Sequence, residues 1–228
     1  MPVSEVYNCD CLEYMKSLPD KYFDLCIADP PYGINFGTYN RTNKASDETR
    51  YKANRYHNSE WDSNIPSDIL FNELFRVSKD LIIWGGNYFP SLWRDGCKGF
   101  IFWDKKQPVD NFADGEMAFT TFNKPAKCFR YSYYGNINSE KERIHPTQKP
   151  IALYRWLLDN YASGGVKIFD PFLGSGSSRI AAYHKGFDFY GCELDKEYFD
   201  AQEERFRKEC LGEIKSTNGK VIKQLDLF

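Results

Sequence analysis

The chain has 228 residues and a formal net charge of −2, so its overall charge gives no sign of a nucleic-acid-binding protein. Its length and a hydrophobic content of 42% favour one α/β domain, residues 1–212, followed by a tail, residues 213–228. Without an apolar run near the ~20 residues that span a bilayer, or an export signal at residues 1–5, we expect a cytoplasmic protein with no membrane segment. The seven cysteines match neither a disulfide framework nor a zinc site, and we predict no metal.

The first part of the sequence alternates between strand-like and helical patterns. We predict strands over Val3–Asn8 and Phe23–Ala28, with a helix over Cys11–Leu18 between them. Asp10 precedes that helix, where an aspartate is a favourable N-cap. The next stretch, Gly37–Asn64, is polar, aromatic and charged without periodicity. It predicts a long mobile loop, and loops of that length are usually functional or disordered.

The rest of the chain continues the alternation, which predicts a Rossmann-like, doubly wound sheet, mostly parallel, with one antiparallel strand. Helices are predicted over Pro66–Ser78, Pro150–Tyr161, Ser177–Lys185 and Lys196–Glu209. Further strands are predicted over Leu81–Trp84, Gly99–Trp103, Val166–Phe169 and Phe187–Cys192. Two more strands, Met117–Phe122 and Cys128–Tyr133, are predicted to pair with each other in antiparallel fashion at an edge of the sheet.

A glycine turn stands between a predicted strand and a predicted helix at Phe169–Gly176. Gly174 and Gly176 have no Cβ, so a ligand can approach the backbone there, and Glu193 ends the next strand at the spacing of a ribose-binding carboxylate. An ordinary tight turn is the alternative interpretation. Arg179 stands where a dinucleotide fingerprint has its third glycine. S-adenosylmethionine, which has no pyrophosphate, is therefore favoured over NAD.

The motif Asp29-Pro30-Pro31-Tyr32, directly after a predicted strand, can present an aromatic amine for reaction. Such an amine is a poor nucleophile because its lone pair is delocalised into the ring. The Asp29 carboxylate and the Pro30 carbonyl can accept hydrogen bonds from both of its N–H groups, with the prolines fixing the loop. Tyr32 offers a face on which an extruded base can stack. A rigid turn that closes the strand is the alternative.

These two motifs, in this order and with His145–Pro150 between them, resemble the beta-class DNA amino-methyltransferases, whose motif order is circularly permuted. The resemblance runs from Asp10 to about Leu211. It implies S-adenosylmethionine as cofactor, double-stranded DNA as substrate, base flipping, and methylation of adenine N6 or cytosine N4. An aspartate rather than a serine at position 29 favours adenine. Glutamine methyltransferases of release factors have a related loop but the opposite motif order.

The same resemblance assigns further residues. Lys149 and Thr147 match positions near the methionine end of the cofactor, and Asp10 matches a position that meets its adenine ring. Asp170 and Phe172 belong to the cofactor-binding motif around the glycine turn. The region from about 104 to 145 corresponds to a short target-recognition segment. Relatives often dimerise, so a homodimer is an expectation from the family.

Two segments concentrate basic side chains, Gly37–His57 and Lys124–Arg143, with five in each. A solvated loop is one interpretation, and phosphate contact is the other, favoured here because a base-handling motif is present. The last five residues, Gln224–Phe228, follow a predicted linker, Lys215–Lys220, and resemble the peptide by which bacterial replication and repair proteins dock on the sliding clamp. A tail that packs on its own domain is the alternative.

Three alternatives to adenine methylation remain open from the sequence. They are N4-cytosine methylation, RNA methylation, and a DNA- or clamp-binding protein that retains the fold without turnover. The intact Asp29 motif and the intact glycine turn argue against the third, because a binding protein needs neither.

Overall fold

A computed structural model describes residues 1–34, 62–107, 113–133, 137, 138, 140, 143–215 and 221–223. The helices in these residues are α1 (Cys11–Lys16), α2 (Asp68–Val77), α3 (Ile151–Tyr161), α4 (Ser177–Lys185) and α5 (Lys196–Leu211). The strands are β1 (Ser4–Asn8), β2 (Phe23–Ala28), β3 (Ser78–Trp84), β4 (Phe100–Asp104), β5 (Gly115–Thr120), β6 (Lys127–Arg130), β7 (Lys167–Asp170), β8 (Asp188–Glu193), β9 (Glu213–Lys215) and β10 (Val221–Lys223).

Eight of the strands form one sheet in the order β1-β8-β7-β2-β3-β5-β4-β6. Within it, β5 runs antiparallel to both of its neighbours, β3 and β4, and the other pairs are parallel. The predicted mostly parallel sheet with one antiparallel strand is confirmed. The late strands β7 and β8 lie between the early strands β1 and β2, so that Leu25 of β2 pairs with Ile168 of β7.

The predicted pairing of Met117–Phe122 with Cys128–Tyr133 is wrong. Strand β5 lies between β3 and β4 instead, and β6 forms the sheet edge in parallel with β4. The pattern of burial explains the difference. Ala118 in β5 is fully buried, whereas Lys127 and Arg130 of β6 are exposed, as is common on edge strands.

Helices cover both faces of the sheet, which confirms the doubly wound architecture. Leu25 and Ile27 of β2 pack into one core with side chains of α3 and α4, and Cys26 and Ala28 pack into a second core with side chains of α1 and α2. Successive side chains of a strand point to opposite faces. A strand buried on both faces is therefore apolar almost throughout, as β2 is.

The tail after α5 contains two short strands that were not predicted. Strands β9 and β10 pair in antiparallel fashion, with Val221 opposite Lys215. The predicted linker Lys215–Lys220 lies outside the described residues except for Lys215, which ends β9. The pentapeptide Gln224–Phe228 and most of the loop predicted over Gly37–Asn64 lie outside the described residues. Among the helices that the structure describes, none is long and apolar enough to cross a membrane.

Candidate active site

The predicted site residues meet at the carboxyl edge of the parallel strands. Asp29 follows β2, Asp170 ends β7 and Glu193 ends β8, and these three strands are neighbours in the sheet. Open parallel sheets bind ligands outside the carboxyl ends of their strands, where the strand order switches. This topology brings the Asp29–Tyr32 loop next to the glycine turn, although they are far apart in sequence.

The Asp29 carboxylate is held by two donors. Tyr32 donates its hydroxyl to Asp29 Oδ1 at 2.7 Å, and Lys149 donates from Nζ to Asp29 Oδ2 at 2.5 Å. The Lys149 side chain is only 4% exposed, and the Asp29 side chain 18%. Burial raises the pKa of Asp29, and the Lys149 cation acts against that rise. Burial alone lowers the pKa of Lys149, but the neighbouring Asp29 and Glu116 carboxylates outweigh it and raise that pKa, so Lys149 is an ammonium group.

Glu116 is a further member of this cluster that the sequence analysis missed. Its Oε1 lies 2.5 Å from Lys105 Nζ, and its Oε2 lies 3.1 Å from Lys149 Nζ without the alignment of a hydrogen bond. Burial raises the pKa of Glu116, but Lys149 and Lys105 together outweigh burial and lower it to about 2. Because β5 is reversed, its first residues lie at the carboxyl edge of the parallel strands. In the sequence, the available signal for Glu116 was its charge directly before the apolar run Met117–Phe119.

Asp62 fixes the backbone of the loop and was also missed. Its Oδ1 accepts hydrogen bonds from Tyr32 N at 2.7 Å and from Gly33 N at 2.9 Å, and the residue is 3% exposed. This residue belongs to the end of the segment predicted as a mobile loop, and its burial shows that this end is anchored to the site. No periodic pattern in the sequence pointed to it.

The Tyr32 ring packs closely between its neighbours. A Cβ on Gly85 would lie 2.2 Å from Tyr32 Cε1, so only glycine fits directly after β3. The ring also stacks on Tyr88, with centroids 5.0 Å apart and planes 14° apart. Pro30 is buried and Pro31 half-buried. The orientation of Tyr32 is therefore set by contacts on several sides.

The glycine turn lies between β7 and α4, as predicted. Gly174 and Gly176 have φ of +51° and +71°, in the left-handed region that favours glycine. Gly174 N donates to Glu193 Oε2 at 2.7 Å, and Asp195 N donates to Glu193 Oε1 at 2.9 Å. Burial raises the pKa of Glu193. The turn thus fixes the orientation of the carboxylate at the end of β8.

Asp170 stabilises the start of the glycine turn through hydrogen bonds. It accepts hydrogen bonds from Phe172 N at 3.0 Å and from Ser178 Oγ at 2.5 Å, and it is 1% exposed. Burial raises the pKa of Asp170 to about 7. Phe172 is half-buried beside it. In this structure the Asp170 carboxylate ties the start of the turn to α4.

Asp10 is an exposed N-cap of α1, since its Oδ1 accepts from Leu12 N at 2.7 Å and from Glu13 N at 3.2 Å. Capping uses one carboxylate oxygen and does not conflict with the predicted cofactor contact. Thr147 Oγ1 lies 3.2 Å from His145 Nδ1. Burial, assisted by Lys149, lowers the pKa of His145 to about 4, so that ring is neutral near pH 7.

The residues of the glycine-turn half fit a nucleoside cofactor. A Cβ on Gly174 would make ordinary van der Waals contact with the His145 ring at 3.7 Å, so the positive φ rather than crowding requires glycine there. Leu194, directly after Glu193, is 72% exposed and offers an apolar surface that the sequence analysis did not single out. Arg179 is buried and ion-paired with Glu203 at 2.5 Å, so it has a structural contact where a third glycine is absent. In the described part of the chain, no group of three or more side chains forms a candidate metal site.

The described part of the second basic segment is only partly available to a ligand. Lys124 Nζ donates to Asn160 O at 2.9 Å and lies over the Phe122 ring, so it packs on its own domain. Arg130 is more open, with a side chain 65% exposed and 3.7 Å from Asp104. The first basic segment, Gly37–His57, lies outside the described residues.

The family model for N6- and N4-methylating DNA methylases matches residues 47–204, more than half of the chain. The chain belongs to this DNA methylase family. Membership confirms the resemblance predicted from the motifs, and it confirms S-adenosylmethionine as the methyl donor that the family uses. The match includes the glycine turn and Glu193, and it begins after the Asp29–Tyr32 loop.

Two curated relatives of this DNA methylase are type II methyltransferases. M.HinfI from Haemophilus influenzae is 29% identical over 90% of the chain and 69% of its own length. M.BglII from Bacillus subtilis is 23% identical over 87% of the chain and 67% of its own length. The chain thus spans about two thirds of each of these relatives.

Solved structures share the fold. The M1.HpyAVI–SAM complex superposes with a TM-score of 0.59 at 22% identity, over 89% of this chain and 98% of that one. A putative DNA modification methylase from Thermus thermophilus, in complex with S-adenosyl-L-methionine, gives 0.57 at 21% identity, over 92% and 96%. The cytosine-N4-specific PvuII DNA methyltransferase gives 0.60 at 14% identity, over 90% and 87%. At these identities the neighbours show a shared fold.

Proposed function

We propose that this DNA methylase transfers a methyl group from S-adenosylmethionine to the exocyclic amine of a base flipped out of duplex DNA, with adenine N6 as the preferred target. The observation that carries the proposal is the Asp29 carboxylate at the end of β2, beside the glycine turn after β7. The aspartate at the head of the loop supports adenine, because it is the residue typical of adenine-specific relatives.

The cofactor, when bound, supplies a methyl group on a sulfonium centre that is open to attack by an amine. Glu193 would accept hydrogen bonds from its ribose hydroxyls, and Gly174 and Gly176 would allow its close approach to the backbone. Leu194 would cover its adenine, with Asp10 near the edge of that ring. Phe172, Thr147 and Lys149 would surround its methionine end.

The loop residues would activate the target amine. The Asp29 carboxylate and the Pro30 carbonyl would accept its two N–H groups and direct the nitrogen lone pair toward the methyl group. Tyr32, held by Tyr88 and Gly85, would support the plane of the base. Orientation and a preorganised negative charge lower the barrier, so direct displacement needs no covalent enzyme intermediate and no separate strong base.

Methylation of genomic DNA tests the proposed function. The purified protein is incubated with labelled S-adenosylmethionine and unmethylated bacterial DNA, and the DNA is digested to nucleosides. We expect N6-methyladenine. N4-methylcytosine would overturn the base preference while keeping the chemistry. Label that enters structured RNA but not DNA, or no transfer by a protein that still binds the cofactor, would refute the proposed function.

We also propose that the tail beyond β10 docks on the bacterial sliding clamp. Leu227 and Phe228 would fill an apolar pocket, and Gln224 would bind at its rim. Deletion of residues 224–228 should abolish clamp binding in a pull-down and leave methylation of free oligonucleotides unchanged. Clamp binding retained by the truncated chain would contradict this partner. A homodimer and a cytoplasmic location agree with the proposal and with the family.

A further inference from the structure

The acceptor that the target amine needs is already engaged. Asp29 receives the Tyr32 hydroxyl on one oxygen and the Lys149 ammonium on the other, at 2.7 and 2.5 Å. Methyl transfer places positive charge on the amine nitrogen, and a second cation on the same carboxylate oxygen opposes that charge. An ammonium at this distance therefore weakens the electrostatic help that Asp29 can give.

Glu116 is a second anion beside the same ammonium. Glu116 Oε2 is buried and already lies 3.1 Å from Lys149 Nζ, in an ion pair whose geometry falls short of a hydrogen bond. A well-aligned, charge-assisted hydrogen bond is stronger than this contact, so Glu116 favours a shift of the ammonium toward its Oε2. Its other oxygen is neutralised by Lys105 at 2.5 Å, so Glu116 itself is held in place.

Besides the two carboxylates, the Lys149 ammonium has one further acceptor, the Tyr32 hydroxyl oxygen at 3.2 Å. Its side chain is 4% exposed, and its Nζ lies between the rings of Tyr32 and Trp84, at 5.6 and 5.7 Å from their centroids. In the described part of the chain, Asp29 and Glu116 are the two anions within ion-pair distance of this nitrogen. A small rotation at the end of the side chain moves the ammonium from one to the other.

We propose that Glu116 is a positioning residue that takes the Lys149 ammonium from Asp29 when the target amine enters, leaving Asp29 Oδ2 for the amine. This inference rests on the proposed function. Glu116 would not touch the substrate and would act through Lys149. Substrate entry would therefore be coupled to a transfer of one ion pair inside the protein, with no proton gained or lost.

Replacement of Glu116 changes the charge around Lys149, so the inference predicts a pH dependence of the methyl-transfer rate. The titratable groups around Lys149 are Asp29, Tyr32, Glu116, Lys105, His145 and Tyr154. In the Glu116→Gln variant, Lys149 loses one of the two carboxylates that raise its pKa, so it should lose its proton at lower pH. A neutral Lys149 no longer competes for Asp29, and the methyl-transfer rate of this variant should rise with pH.

The test compares single-turnover methylation by the native protein, Glu116→Gln and Glu13→Gln. Glu13 forms an exposed pair with Lys16, so its variant controls for the loss of one carboxylate. The substrate is a duplex that the native protein methylates. We expect Glu116→Gln to lower the rate at neutral pH by about 10- to 100-fold, with cofactor affinity by calorimetry within a few-fold of native. Between about pH 7 and about pH 10 the rate of this variant should climb toward the native rate, whereas the native profile should lack such a rise.

Two results would overturn the inference. One is a Glu116→Gln rate equal to native, and the other is a lower rate with an unchanged pH profile, as a structural role would give. If circular dichroism shows that this variant does not fold, Glu116→Asp carries the test, because it keeps the charge but withdraws it from Lys149. We then expect a lower rate with native cofactor affinity, and a native rate would refute the role. Inactivity of the native protein on every DNA would instead refute the proposed function.

Discussion

At the scale of single residues, carboxylates fix the main chain around the site. Asp62 accepts two N–H groups of the loop after β2, Asp10 accepts two at the start of α1, and Glu193 holds the glycine turn. Such charge-assisted bonds are shorter and stronger than neutral ones. Acidic side chains therefore concentrate at a site proposed to receive DNA, which is consistent with the slightly negative net charge of the chain.

Replacement of Asp29 tests its assigned role. Asp29→Ala should lower methyl transfer by about 10²- to 10⁴-fold, because the acceptor for the amine is lost. Cofactor affinity should stay within a few-fold of native, since Asp29 belongs to the loop after β2. Radiolabel transfer and calorimetry measure the two quantities. Asp68→Ala, which removes an exposed partner of Arg94, is the matched control and should behave as native. An active Asp29→Ala enzyme would exclude the amine-accepting role.

The places of Asp29, Tyr32 and Glu193 at strand ends could be predicted from short motifs, and contacts between distant segments could not. Asp29, Tyr32 and Glu193 stand at strand ends in patterns whose chemistry is local. Glu116 and Asp62 matter only because the fold brings them to Lys149 and to the Tyr32 backbone. A sequence without its topology gives no distance between such positions.

At the scale of elements, the residue before α1 has one observed role and one proposed role, which substitution can separate. Asp10 caps a helix of only six residues, and we propose that the same side chain contacts the cofactor. Asp10→Ser keeps a good cap but is too short to reach a ligand. It should leave the free energy of unfolding within about 0.5 kcal/mol of native and weaken cofactor binding, whereas Asp10→Ala should also lose about 1 kcal/mol of stability.

Urea unfolding and calorimetry on both Asp10 variants provide the measurement. Native cofactor affinity in Asp10→Ser would leave Asp10 with the capping role alone. Equal stability of Asp10→Ala and the native protein would contradict the capping argument instead.

Local sequence patterns predicted the bounds of single elements better than they predicted which strands pair. Strand β2 and helix α4 have the predicted bounds, because an apolar run and a glycine-flanked helix are local signals. Strand β3 begins at Ser78, directly at the end of α2, earlier than the predicted Leu81. The partners of β5 are β3 and β4, and the residues of β5 alone do not indicate which strands it pairs with.

At the scale of the whole molecule, the permuted order divides the site between distant parts of the chain. The Asp29–Tyr32 loop follows β2, the glycine turn follows β7, and these strands pair side by side. The general architecture was predictable from the alternation of patterns. The contribution of the reversed strand to the site was not, because it depends on the direction in which β5 crosses the sheet.

The pairing of β1 with β8 has a consequence for synthesis of the protein. Strand β1 leaves the ribosome well before its partner β8, Asp188–Glu193, is synthesised. Until then β1 has no neighbour in the sheet, and β2 lacks its contact with β7. Pairing across such separations is slow to form. A chain truncated before β8 therefore carries the Asp29–Tyr32 loop but lacks Glu193 and the sheet partner of β1.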